Sequence, residues 1–222
     1  MKKILTVLIS LFTAMNLGAN SSSAAKNNFS ANEALAKLKA GNANFVSMKL
    51  VHPNTNIIKR ESLINGQHPF AVVVGCSDSR VPVEMIFDQG LGDIFVVRNA
   101  GNIVDNNVLG SVEYAVKHLN VKIVVVMGHQ FCGAVGSAMS TAVDSSEYIE
   151  NIKKEIKPAI DKCQLDEKLT YENAIKTNAR IMASKISTLD STFTDYMKKN
   201  NVLVIPAYYN LDTGKVDFLT NN

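Results

Sequence analysis

Residues 70–80 read Phe-Ala-Val-Val-Val-Gly-Cys-Ser-Asp-Ser-Arg. The first six form an unbroken, Val-rich apolar run, which reads as a strand buried on both faces. The next five turn polar at once and bring together a thiol, a carboxylate and a guanidinium. A strand of that kind belongs to a sheet covered by helices on both sides. Reactive groups at its carboxyl end belong to a ligand crevice.

Working outward, residues 94–97 and 121–127 are two more such runs. Between them, residues 108–119 place Leu109, Val112, Val116 and Leu119 at helical spacing. Strand, crossover and strand in that order predict an α/β fold with a central, mainly parallel β-sheet flanked by helices. Further helices are expected at 30–49, where Ser30 and Glu33 have capping-box spacing, and at 57–64, 132–140, 147–163, 167–189 and 194–199. A final strand is expected at 202–209, with a hairpin return at 215–219 through Asp212-Thr213-Gly214. No repeat, linker or low-complexity tract interrupts this pattern. Residues 26–222 read as one domain.

The chain has 222 residues, 46% hydrophobic and 19% charged, which excludes an intrinsically disordered protein. Its net charge of +3 is too small to argue for a nucleic-acid partner. Residues 1–25 stand apart. Lys2 and Lys3 precede an apolar stretch over 4–17, and Ser23-Ala24-Ala25 supplies the small residues of a cleavage site. This reads as a secretory signal peptide, with an apolar run too short for a comfortable membrane span. The expectation is a periplasmic protein with no membrane contact after cleavage.

Export makes three cysteines an awkward count, because one disulfide would leave a spare thiol. Cys76 ends the first strand, and Cys132 follows the 121–127 strand in Gly128-His129-Gln130-Phe131-Cys132-Gly133. Neighbouring parallel strands would carry Cys76, His129 and Cys132 to one sheet edge. Two Cys and one His make a three-ligand zinc set of the catalytic kind, with a fourth position for water or substrate. A Cys76–Cys132 disulfide also fits these residues. A nucleophilic Cys76 with Arg80 as anion binder does not, because three intervening residues are too few for a phosphate-cradling loop. Cys163 has no ligand neighbours and reads as a partly buried free thiol. Ile175, Ile181, Met182, Ile186 and Leu189 read as a core or dimer-contact stripe.

With these motifs on the page, the chain resembles the bacterial β-class carbonic anhydrases. The likeness rests on Cys76-Ser77-Asp78-Ser79-Arg80-Val81-Pro82, Arg98-Asn99-Ala100-Gly101-Asn102 and Gly128-His129-Gln130-Phe131-Cys132-Gly133-Ala134. Weaker echoes are Gly41-Asn42, Phe45-Val46, Tyr208-Tyr209 and Thr213-Gly214. The resemblance implies Zn²⁺ on Cys76, His129 and Cys132, and a homodimer or dimer of dimers. It implies reversible hydration of CO₂ to bicarbonate and a proton by zinc-bound hydroxide. It makes Asp78 and Arg80 a catalytic dyad, in which Arg80 holds Asp78 off the metal. In a closed state Asp78 would become a fourth ligand.

By the same resemblance Gln67 and Gly133 are substrate-binding residues, the latter through its backbone N–H. His52, His68 and His118 read as surface or structural. Some bacterial relatives have an inhibitory bicarbonate pocket built from a Trp, an Arg and a Tyr. Arg98 and Tyr209 match it, but Val73 stands where the Trp would be, and the chain has no Trp. The expectation is therefore the non-allosteric type. Two other functions are compatible with the motifs: a catalytically silent zinc-binding relative, and a hydrolase of a CO₂-like molecule such as CS₂.

Overall fold

Val-rich β1 (Ala71–Cys76) lies inside a five-stranded sheet of order β2-β1-β3-β4-β5 and is buried along its whole length. The computed structural model describes residues 28–142, 146–188 and 190–220. Residues 1–25, expected to be a signal peptide, and Leu189 lie outside the described residues. β2 is Ile94–Asn99, β3 Ile123–His129, β4 Leu203–Tyr209 and β5 Val216–Phe218. The first four run parallel, and β5 returns antiparallel on β4. The expected parallel-centred α/β architecture is what the chain adopts.

Alternation along β1 and β3 divides the core between the two faces of the sheet. Val72, Val74, Val124 and Val126 face one cluster with α4 (Asn106–His118), α7 (Tyr171–Thr188) and α8 (Ser191–Lys199). Val73, Val125 and Met127 face the other with α1 (Ala31–Val46) and the one-turn helix α3 (Val83–Ile86). α2 is Ile57–Ser62, α5 Gly133–Met139 and α6 Glu147–Leu165. Among the described residues, no helix is long and apolar enough to cross a membrane.

Several boundaries differ from the sequence pattern, each for a local reason. β2 is only partly buried, because it is the edge strand and its composition does not reveal that it has a single neighbour. α1 starts at the expected cap, with Ser30 and Glu33 closing a full capping box, but stops at Val46. α7 begins at Tyr171 rather than 167, since Glu167 takes a left-handed φ of 53° and ends α6 in a turn. The short α3 is a single turn and carries too few residues to show a period.

The strand order places the site. The chain leaves β1 toward β2 on one side, and leaves β3 toward β4 on the other. The carboxyl ends of β1 and β3 therefore flank a topological switch point, where departing loops leave a crevice.

Candidate metal centre

Cys76 is the last residue of β1 and His129 the last of β3. After His129 the chain reverses through Gln130 and Phe131, the latter at a left-handed φ of 54°, and delivers Cys132 as the N-cap of α5. Gln130 pins this reversal to the β4–β5 hairpin. Its Oε1 accepts from the N–H groups of Leu211 (2.9 Å) and Asp212 (3.2 Å), and its Nε2 donates to Asp212 Oδ2 (2.8 Å).

Cys76, His129 and Cys132 converge, with their ligand atoms all within 4.8 Å of one another. The two sulfurs lie 4.0 Å apart, too far for a disulfide and close to the ~3.8 Å that two thiolates span across a tetrahedral zinc. His129 Nδ1 meets its neighbour's carbonyl, Gln130 O, at 2.9 Å, which assigns the proton to Nδ1 and leaves the lone pair on Nε2. Nε2 is buried and has no hydrogen-bond partner. A buried imidazole nitrogen left bare is costly unless something else binds it. A soft metal satisfies both it and the thiols, so the donor set fits zinc.

The electrostatics favour one thiolate even without a metal. The hydrogen bond from Cys132 holds the Cys76 thiol well below its ordinary range, against burial, and His129 and the N–H groups of Asp78 and Gly101 add to this. The same shared bond pushes Cys132 up, helped by burial, while the N–H groups of Ala134 and Val135 pull the other way. Of the two thiols, Cys76 is therefore the readier to ionise.

Asp78 lies at the rim. Arg80 grips it in a fork, Nε to Oδ1 at 2.9 Å and Nη2 to Oδ2 at 2.7 Å, and adds its own backbone N–H to Oδ1 at 2.9 Å. The guanidinium holds the Asp78 carboxyl well below the usual carboxylate range. Oδ2 is also 3.8 Å from His129 Nε2, so the carboxylate faces the cluster while leaning on Arg80. Arg98, part of the Arg98–Asn102 motif and of the regulatory-pocket comparison, braces this loop by donating to Cys76 O (2.8 Å) and Asp78 O (2.6 Å).

With the geometry established, the relatives become informative. The carbonic anhydrase family model matches residues 71–216. A curated relative, carbonic anhydrase 2 of Mycobacterium tuberculosis, is 38% identical over 186 residues, covering 80% of this chain and 87% of its own. The chain belongs to the β-carbonic anhydrase family.

Solved β-carbonic anhydrases share the fold. One from Aspergillus fumigatus superposes with a TM-score of 0.67 at 26% identity, covering 86% of this chain and 91% of its own. One of the two tetrameric β-carbonic anhydrases of Sordaria macrospora superposes at 0.66 and 26%, covering 85% and 97%.

Gly133, exposed at the start of α5, adjoins Cys132, with open space where a Cβ would stand. Gln67 is not brought to the cluster within one chain. It lies exposed before β1, whereas Cys76 ends that strand, and β1 alone is about 17 Å long. A linear motif does not say which end of a strand a residue occupies relative to a site. Tyr171 and Asn178 hold Cys132 O and Gly101 O from behind, and isolated polar residues on a helix carry no sequence pattern that marks them. Cys163 is buried, with its thiol donating to Thr177 Oγ1 at 3.3 Å.

Proposed function

We infer that this chain catalyses the reversible hydration of CO₂ to bicarbonate and a proton, with zinc as cofactor. One observation carries the reading: two cysteine sulfurs and a partnerless imidazole nitrogen converge beside a forked Asp–Arg pair, in a chain of this family. When bound there, Zn²⁺ supplies a Lewis acid that makes water nucleophilic near neutral pH.

The chain's own residues do the rest. Cys76, Cys132 and His129 Nε2 would hold the metal. Arg80 keeps Asp78 ionised and off the metal, so the carboxylate acts as an acceptor that orients the attacking oxygen's hydrogen and aims its lone pair at CO₂. Gly133 offers a main-chain N–H to bicarbonate. The test is stopped-flow CO₂ hydration by zinc-loaded residues 26–222, with CS₂ assayed in parallel. No CO₂ turnover at one zinc per chain would leave a silent relative, and turnover of CS₂ alone would leave the hydrolase.

We further propose that the active unit is a homodimer or dimer of dimers. Support comes from α2, which has no buried residue, and from Met48, Val51, Ile57, Ile58 and Ile64, which stand exposed just before Gln67. A second copy seated on that apolar surface would receive Gln67 near its site. The tetrameric relatives of Sordaria macrospora support the same reading. Residues 1–25 direct export to the periplasm, which cleavage mapping of secreted protein would test. The enzyme is of the non-allosteric type, because Val73 is fully buried in aliphatic packing and supplies no donor to an inhibitory bicarbonate. A kcat/KM profile that collapses cooperatively on mild acidification, more steeply with added bicarbonate, would contradict this.

A further inference from the structure

One face of α7 crosses behind the metal centre and touches the segments that bear His129 and Cys132 and the turn at Gly101 beside Cys76. Tyr171, Ile175, Asn178 and Met182 follow one another along it at steps of four, three and four. Tyr171 Oη donates to Cys132 O at 2.7 Å. Ile175 presses on Gly128, where an added Cβ would meet its Cγ2 at 2.8 Å. Asn178 Nδ2 donates to Gly101 O at 3.0 Å, and Val104 N–H meets Met182 Sδ at 3.3 Å.

Asn178 is the anomaly on this face. It is 1% exposed among aliphatic neighbours, and its Oδ1 has no partner. Burying a primary amide half satisfied costs stability that Leu or Met would not. The half that is satisfied holds Gly101, a residue at φ +73° where a side chain would strike Ile156 and Ala134. Gly101 in turn directs its N–H at Cys76 Sγ, 3.4 Å away. A continuous path therefore runs from the α7 amide to a metal-ligand sulfur.

We propose that Asn178 is a positioning residue for the metal, holding the Gly101 N–H on Cys76 Sγ. The inference rests on Cys76 being a zinc ligand. An N–H···S bond fixes the direction of the sulfur and draws charge from it. Two thiolates quench a metal's acidity, so draining one of them leaves the metal more electron-poor.

Cobalt-substituted protein provides the test, because thiolate-to-cobalt absorption reports the energy of the sulfur lone pair. Asn178→Leu, of similar bulk and with no donor, should shift that band to longer wavelength. It should also loosen zinc by about tenfold in chelator competition. A folded variant with the wild-type band and wild-type zinc affinity would overturn the proposal. Should the variant not fold, ¹¹³Cd-loaded wild type decides by NMR. Couplings across hydrogen bonds are expected from the Gly101 amide proton to cadmium and between the Asn178 side-chain nitrogen and the Gly101 carbonyl. Absence of either overturns the proposal. Wild type without thiolate-to-cobalt bands would instead sink the zinc-ligand reading, and this one with it.

Discussion

Both oxygens of Asp78 are engaged by Arg80, and this fixes what the carboxylate can do. It can accept a hydrogen bond from the reaction position while the fork holds it off the metal. Asp78→Asn should therefore keep stoichiometric zinc and lose roughly 10²–10³-fold in kcat/KM by stopped-flow, since an amide cannot reproduce a carboxylate's acceptors. Equal activity would reduce the pair to a loop brace. Cys132→Ser should lose zinc and activity together, as read by metal content. The two sulfurs, 4.0 Å apart, must close to about 2.05 Å to bond, an approach that a metal held between them would block. Under mild oxidant the metal-free protein should lose two of its three free thiols in a thiol titration, while the zinc form keeps all three. Of this centre, the ligand types and the dyad were legible in the sequence, because each motif is a few adjacent residues. The bare Nε2 and the sulfur–sulfur contact were not, because both depend on distances between segments.

At the scale of elements, two joints hold the face of the sheet where α1 packs. Gly41 lets α1 approach α3 so closely that a Cβ would sit 1.7 Å from Phe87 O. Gly41→Ala should cost about 1–3 kcal/mol of stability in denaturant unfolding, because backbone must move to admit it. Beyond α3, Asp88 is 4% exposed and accepts from Val51 and His52 N–H and from Asn44 Nδ2, all near 3 Å. Burial alone would raise its pKa, but these donors outweigh burial and lower it. The sign follows. A depressed folded pKa adds stability above the unfolded value near ~3.9, lost as pH falls through the folded one. Asp88→Asn should thus melt below wild type at neutral pH, with the gap closing as both are titrated below about pH 4. A gap independent of pH would mean that the charge is irrelevant. The donors come from Asn44 in α1 and from the backbone of Val51 and His52 beyond it, and irregular backbone has no period, so this joint was invisible to periodicity.

For the whole molecule, the question is what covers α2. If a second copy covers it, as proposed, Ile58→Asp should give smaller species than wild type, as measured by light scattering. If Gln67 serves a second copy, mixing Gln67→Ala with Cys132→Ser should restore activity that neither has alone. One mixed site would combine intact ligands with an intact Gln67. No gain on mixing, with exchange of chains verified, would confine Gln67 to a structural role.

The order of residues determined by itself whatever is local. Three apolar runs made parallel strands, Ser30 and Glu33 set a helix start, and short motifs marked Cys76, His129, Cys132 and the Asp78–Arg80 pair as candidates. Those features depend on periods and spacings within a few residues of chain. The tertiary structure alone decided the rest. It ordered the strands so that β1 and β3 end at the switch point, left β2 at an edge, sent Gln67 to the far end of β1, and laid α7 behind the ligands with Tyr171 and Asn178 in place. Each of these is a relation between segments far apart in sequence. Such relations are set by how the two faces of the sheet pack against their helices, which no local pattern encodes.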